Sequence, residues 1–380
     1  MTTTTAVRPL AVTGHGVVSP AGLGLDRLAE LLRTGQPGCS RPSADDPAEF
    51  PARPLRLVPE FRLADHLGRK GIRHLDRLTG FGLVACKLAL AGLSEMDSAG
   101  PGGPPDREAD TGVVLGTSTG SIRSVSTLAR DTITADRPYQ VNPSQFPNTV
   151  MNSCAGHVAI WNSLRGVNAT MAGGHVSSLH AVRYARTAIR LGRASRLLVG
   201  GVEELSPQFA WAWHRTGTLL PAAPLGEGCA LFLVEDAAAA AAAGRPRLAE
   251  LLGCEVSFIG APSDRRHDPG AALAGCVERA LRRSGLDPAD VGTVVPGAGS
   301  QLALAHAERR GLAAALGRSP ELLRTGDALG DSYSASGALQ LAALLAHWRN
   351  GGGPAGAGIG LVTSVGGDGN VGCLVVRRAG

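Results

Sequence analysis

Residues 166–179 read GVNATMAGGHVSSL. Ala169–Ala172 predicts a short strand, Gly173-Gly174 a tight turn, and the stretch from about Val176 to Leu191 a helix. A strand, a glycine turn and a small-residue helix start put one side chain, His175, on a bend at the head of a buried helix. A nucleophile at such a bend gains the helix N-terminus and free backbone N–H groups that can hold an oxyanion. The logic is that of the nucleophile elbow of hydrolases, although the sequence is not GxSxG.

The same strand–turn–helix rhythm extends in both directions. Upstream, Val12–Pro20 (VTGHGVVSP) reads as a strand into a glycine turn, Leu25–Thr34 as a helix and Ser40–Pro54 as a loop. Leu75–Leu93 reads as a long apolar helix, Ser98–Pro105 as a Gly/Pro linker and Asn148–Leu164 as a helix. Gly112–Gly116 is apolar without alternation, which suits a central parallel strand. Downstream, Leu197–Gly201 is the next strand, and Cys229–Val234 and Leu248–Val256 read as neighbouring strands separated by an alanine run, Ala237–Ala243, of high helix propensity. Ala271–Ser284, Ala303–Leu316 and Ala335–Trp348 read as helices. Val291–Val295, Ile359–Ser364 and Val371–Val376 read as strands, the last two around a glycine-rich turn. This alternation predicts a layered α/β fold, and its rhythm predicts two pseudo-repeated halves, 1–225 and 226–380.

A chain of 380 residues suits one large α/β unit or two fused halves. No run of about 18 apolar residues occurs, so no membrane span is expected. Met1–Arg8 lacks the basic and apolar regions of a secretory signal, which predicts a cytoplasmic protein. The seven cysteines (Cys39, Cys86, Cys154, Cys229, Cys254, Cys276 and Cys373) are odd in number and form no CxxC, which predicts buried free thiols and no metal. The net charge of +5 comes with no basic stripe interleaved with aromatics, so no nucleic-acid partner is expected.

Six segments, in order along the chain, carry a resemblance: VTGHGVVSPAGLG, NPSQFPNTVMNSCAGHVAI, GVNATMAGGHVSSLHAV, IRLGRASRLLVGGVEE, PLGEGCALFLVED and TSVGGDGNVGCLVV. Together they make the chain similar, over nearly its whole length, to the β-ketoacyl-ACP synthase family of the thiolase fold. The resemblance implies a layered α-β-α-β-α fold. It also implies a chemistry of three groups: a cysteine thiolate that takes the acyl chain from a carrier protein, and two histidines that support decarboxylation of malonyl-ACP and stabilise the enolate. At the matching positions this chain departs from the pattern throughout. The cysteine slot holds His175. The first histidine motif lies at VPGAGSQ, with Gly297 in the histidine slot. The second lies at GDALGDSYSASGAL, with Gly326 in the lysine slot and Asp331 in the histidine slot. A gating phenylalanine is replaced near Gly367, and a longer loop in the family is shortened to HRTGTLLPAAP between Trp213 and Leu225.

Within the family, the pattern most resembles a chain length factor, or ketosynthase β subunit, although such chains usually carry glutamine where His175 stands. The resemblance implies a non-catalytic subunit that pairs with an active β-ketoacyl-ACP synthase in type II polyketide or polyene biosynthesis and shapes the acyl tunnel. Its partners would be the catalytic ketosynthase and an acyl carrier protein. It would need no cofactor of its own, since acyl groups arrive on the carrier's phosphopantetheine. Thr119, Gln145 and Phe146 match positions that line the tunnel across the dimer interface, with Met151 and Cys154 as further interface candidates. Ordinary core packing competes for Phe146. Two other functions stay open: an unusual acyltransferase or condensing enzyme using His175 or Ser177, and a homodimeric acyl-ACP binding protein. Against the former, acyl-imidazoles hydrolyse readily, and neither Gly297 nor Asp331 offers a general base to a histidine that the helix N-terminus would keep neutral. The plainer role for His175 is a polar filler hydrogen-bonded inside a vestigial pocket, and Ser177, His157 and His180 read as structural.

Overall fold

The computed structural model describes residues 8–36, 38, 49–97, 111–260, 267–354 and 358–379. The linker expected over residues 98–105, residues 40–48 of the expected loop, Cys39 and residues 1–7 of the tail lie outside the described residues. The strands, in chain order, are β1 (Leu10–Ser19), β2 (Gly22–Leu23), β3 (Leu55–Arg56), β4 (Thr111–Gly116), β5 (Asn168–Met171), β6 (Arg196–Glu203) and β7 (Leu225–Gly226). They continue with β8 (Gly228–Asp236), β9 (Ala249–Phe258), β10 (Val291–Val295), β11 (Glu321–Leu322), β12 (Ile359–Val365) and β13 (Asn370–Arg378).

The main sheet runs β11-β10-β12-β13-β9-β1-β8-β6-β4-β5. It divides into two sets of five with one topology. In each set the outer three strands are parallel, the two toward the centre pair antiparallel, and the first strand in sequence lies innermost. Numbered within its own set, each reads 3-2-4-5-1. The sets touch through antiparallel β1 and β9, over the short register Leu10–Val12 with Ala249–Leu251.

Side chains of successive residues leave a strand on opposite faces, and that alternation builds the layers. Leu197 and Val199 of β6 enter a central core, whereas Leu198 and Val202 enter an outer one. The central core holds the helix Ser177–Arg190, which follows the bend at His175, and its counterpart Ser336–Arg349, together with Leu374 and Val376 of β13. The first outer core packs the helix Arg77–Asp97 over β1, β6 and β8. The other packs Pro269–Ser284 and Leu302–Leu316 over Val371, Cys373 and Val375. The result is the layered α-β-α-β-α fold that the resemblance implied.

Three local expectations need correction. Cys229–Val234 and Leu248–Val256 are not adjacent strands, because β1 is inserted between β8 and β9 and pairs with both. For the same reason the pairing of β8 with β6 and β1 ties Gly228–Asp236 to the first set of strands, although the sequence boundary at 225/226 assigned it to the second half. The helix expected over Asn148–Leu164 spans only Ser153–Trp161. A 3-10 turn, Pro143–Thr149, and an extended Val150 precede it, since Pro143 and Pro147 each remove a backbone donor. Cys86, Cys154, Cys229, Cys254, Cys276 and Cys373 are buried free thiols. Among the described residues no helix is long and apolar enough to cross a membrane.

Candidate active-site region

The bend is built as a one-turn 3-10 segment, Gly174–Val176, feeding the helix Ser177–Arg190. Gly174 takes φ +57°, and a Cβ there would sit 2.6 Å from an Asp368 carboxylate oxygen, so only glycine fits. The Ser177 hydroxyl accepts from Gly173 N at 3.0 Å and donates to Gly174 O at 2.7 Å, which spends it on the turn. The second half builds the same device: a 3-10 segment, Tyr333–Ala335, feeding the helix Ser336–Arg349. The two turns face each other, and between them lie the residues that matter.

His175 is 5% exposed, and its Nε2 lies 3.1 Å from both carboxylate oxygens of Asp331. Asp331 also accepts from the Ser300 hydroxyl and, at 2.9 Å, from Tyr333 N. Tyr333 stands edge-on to the imidazole at 4.8 Å and Trp213 at 5.6 Å, forming an aromatic wall. Burial alone would strip the proton from His175. The charge and hydrogen bond of Asp331, with a smaller contribution from Asp368, outweigh it and raise the imidazole's pKa. Burial works against the Asp331 carboxylate too, but His175, Ser300 and Tyr333 N hold its pKa below the usual range. Asp331 thus biases His175 toward the imidazolium form, against the neutral imidazole expected at a helix start. The sequence treated Asp331 only as a missing histidine, whereas the structure makes it the direct partner of His175. Tyr333 has φ 45°, a left-handed conformation that costs a bulky residue about 1–3 kcal/mol, and its bond to Asp331 helps hold it there.

Gly297 is not a vacancy into which an imidazole would fit. A Cβ on it would lie 2.7 Å from Thr363 O and 3.1 Å from Gln340 Nε2. Its N–H and that of Ala298 donate to the buried Glu308 carboxylate at 3.0 and 2.9 Å, and the Thr363 hydroxyl joins them at 2.7 Å. Gly326, by contrast, has open space where a side chain would begin. The short connection after Trp213 folds down onto this region: Leu220 N donates to Ser300 O at 2.9 Å, and Arg53 holds the Leu220 and Ala223 carbonyls. Gly367 is exposed, and its neighbour Asp368 reaches the elbow.

The expected interface residues do not meet His175. Phe146 is 62% exposed and Met151 41%, so core packing within this chain does not explain Phe146. Val150 and Ile160 are exposed as well, and the helix Ser153–Trp161, which carries Ile160, packs against both the Pro143–Thr149 turn and β5, the strand that ends the sheet. Gln145 is half-buried. Cys154 does not face outward with them: it is fully buried, with Leu78 O within reach of its thiol. Thr119 donates to Glu203 at 3.3 Å. Glu203 and its neighbour Glu204 were not anticipated. Burial pushes their carboxyls up to about 8 and about 7 respectively. Ser121 donates to Glu204 at 2.6 Å, and each residue has one carboxylate oxygen without a partner. The run GGVEE carried a signal, two acids ending an apolar strand, but read as strand alone. His157 lies against His74 at 5.6 Å between ring centres, and His180 packs over Gly173. Burial lowers the pKa of both, so they stay neutral.

The sequence model of the β-ketoacyl synthase N-terminal domain matches residues 7–240, and that of the C-terminal domain matches 248–357. The chain belongs to the β-ketoacyl synthase family. A 3-oxoacyl-[acyl-carrier-protein] synthase 2 of Vibrio harveyi is 26% identical over 333 residues, covering 82% of this chain and 77% of the relative. Among solved structures, the ishigamide ketosynthase/chain length factor is 37% identical with a TM-score of 0.81, covering 98% of this chain and 100% of the other. A type II polyketide synthase acyl-carrier protein in complex with its ketosynthase bound to the hexaketide has the same TM-score, 0.81, at 19% identity, covering 98% and 100%. The last likeness is one of fold alone. In this member of the β-ketoacyl synthase family, His175 and Asp331 are paired across the two facing turns.

Proposed function

We propose that the chain is a non-catalytic, chain length factor type subunit that pairs with an active β-ketoacyl-ACP synthase in type II polyketide or polyene biosynthesis. The observation that carries this reading is the His175–Asp331 pair. The His175 Nε2 is already engaged by Asp331, which also favours the protonated imidazole, a form with no lone pair to attack a thioester. Gly297 offers no second histidine and no space for one. What remain usable are the exposed apolar side chains of Phe146, Val150, Met151 and Ile160 near an open sheet edge, and apolar surface of this kind marks a protein partner. On this reading Thr119, Gln145 and Phe146 bound the acyl tunnel at the junction. The acyl groups arrive on the phosphopantetheine of an acyl carrier protein, and the pair works in the cytoplasm.

Co-expression with an intact Cys-His-His ketosynthase tests the proposal. One-to-one copurification and condensation of malonyl-ACP by the pair, with none by this chain alone, is the expected result. A stable homodimer that ignores the ketosynthase would favour an acyl-ACP binding protein instead. An acyl adduct on the isolated chain, seen by intact mass and lost in His175→Ala, would favour an acyltransferase.

A further inference from the structure

Asp331 also lines a cavity of about 350 Å³, within the size range of small-molecule sites. His175, Trp213 and Tyr333 do not line it. It occupies the space left by two departures: Gly326, which has no side chain, and the short connection at Leu220–Pro224. Its walls are largely apolar, with Pro224, Pro296, Leu312, Leu322, Leu329 and Leu339 contributing. Two of its three carboxylates are already committed. Glu308 takes the Gly297 and Ala298 N–H groups and the Thr363 hydroxyl, and Asp331 holds His175 and Ser300. The third, Asp327, is exposed, and the Arg56 guanidinium beside it donates to the Asp327 backbone carbonyl at 2.8 Å. Two lining cations are left over. Arg309 and Arg324 are both exposed, and neither has a carboxylate or other polar partner among the described residues.

We infer that this cavity is a binding site for a small amphiphilic anion, with a carboxylate head on Arg309 and Arg324 and an apolar body inside. Two guanidiniums at the mouth of a low-dielectric cleft focus a positive field into it, and arginine suits carboxylate recognition because its fork can bond both oxygens. The apolar walls supply the rest of the affinity in proportion to the area they cover. Such a site would let a ligand bind the subunit without competing for the elbow.

Calorimetric titration of the full chain, alone and in complex with its ketosynthase, with sodium octanoate as the probe tests the inference. Octanoate should bind with a dissociation constant of about 1 mM or tighter, and more weakly as salt is raised. The double variant Arg309→Ala/Arg324→Ala should weaken it at least tenfold. Octan-1-ol and inorganic phosphate, each carrying half of the recognition, should bind at least tenfold more weakly than octanoate. Gly326→Phe fills the cavity from a position with no positive φ and no neighbour within 4 Å, and should abolish binding while its urea midpoint stays that of the parent. No heat of binding in the parent, equal affinity for octanol and octanoate, or affinity unchanged in the arginine variant would each overturn it. Should Gly326→Phe not fold, the arginine variant and the octanol comparison decide alone.

Discussion

Replacing Asp331 with asparagine should expose what the ion pair contributes, because the side chain keeps its shape and loses only its charge. Asp331 accepts from His175, from the Ser300 hydroxyl and from Tyr333 N. Hydrogen bonds to a charged group are each worth about 1.5–3 kcal/mol, and breaking a buried pair costs about 3–5 kcal/mol. Three effects offset part of that loss: the amide still accepts one bond, the cost of burying a carboxylate disappears, and His175 can shed its proton. A net loss of about 2–4 kcal/mol at pH 5.5 follows. The pH dependence is a sharper test than the size. The His175 pKa is raised on folding, so its contribution is complete below the unfolded value of about 6.5 and disappears as the pH rises through the folded value. The Asp331 pKa is lowered, so its contribution is present above about 4 and fades only as the pH falls through the folded value, about 2. Parent and Asp331→Asn should therefore differ most between about pH 4 and 6.5, with the difference shrinking as the pH rises through the folded His175 value. Urea unfolding at fixed protein concentration, at pH 5.5 and pH 9, measures both. A difference under about 0.5 kcal/mol at pH 5.5, or the same difference at both pH values, would refute an imidazolium–carboxylate pair.

Three further outcomes follow from the same geometry. His175→Cys restores the family's nucleophile type but should give no condensation of malonyl-ACP by the isolated chain, since Gly297 and Asp331 supply no imidazole; a radiolabelled malonyl-ACP assay reads this out. Phe146→Ala should leave the isolated chain's urea midpoint within about 0.5 kcal/mol of the parent, because the ring is 62% exposed, while lengthening the products of the assembled pair; unchanged product length by mass spectrometry removes it as a gate. Glu203→Gln should be tolerated at pH 7, where burial keeps the parent carboxyl protonated with a pKa of about 8. Because that folded pKa lies above the unfolded one, the parent loses stability as the pH rises from about 4.5 to 8 and the glutamine variant is spared that loss, so the variant's unfolding curve should be flatter between pH 6 and 9.

The layers were legible because hydrophobic periodicity reports which face of an element is buried. Val291–Val295 and Gly112–Gly116 have no polar alternation since both of their faces are covered, and the elbow showed through its paired glycines. Strand order was less accessible. Nothing local to Leu10–Ser19 says that it will insert between β8 and β9, since that choice is made by packing between distant segments. The prolines at 143 and 147 were visible, and the helix reading over Asn148–Leu164 gave them too little weight. The site was half legible. His175 and Asp331 were both marked as substitutions, but their attraction was not, because two residues read as separate losses become partners only when two turns face each other. Glu308 and Glu203 were hidden for a similar reason: a buried carboxylate is recognised by the donors that surround it, and those come from other parts of the chain.

The two sets of five strands share one order, and in each a turn between the third and fourth strands in sequence feeds a buried central helix. His175 sits on one of these turns and Asp331 immediately precedes the other, 156 residues away. Neither half can make that bond by itself. Contacts of such long span form only after a large loop has been closed, so they belong to the late part of folding. The charge pair thus works as a clasp between two duplicated modules, fastened when they dock, and the protonation state of one imidazole becomes a spectroscopic marker for whether the halves are seated.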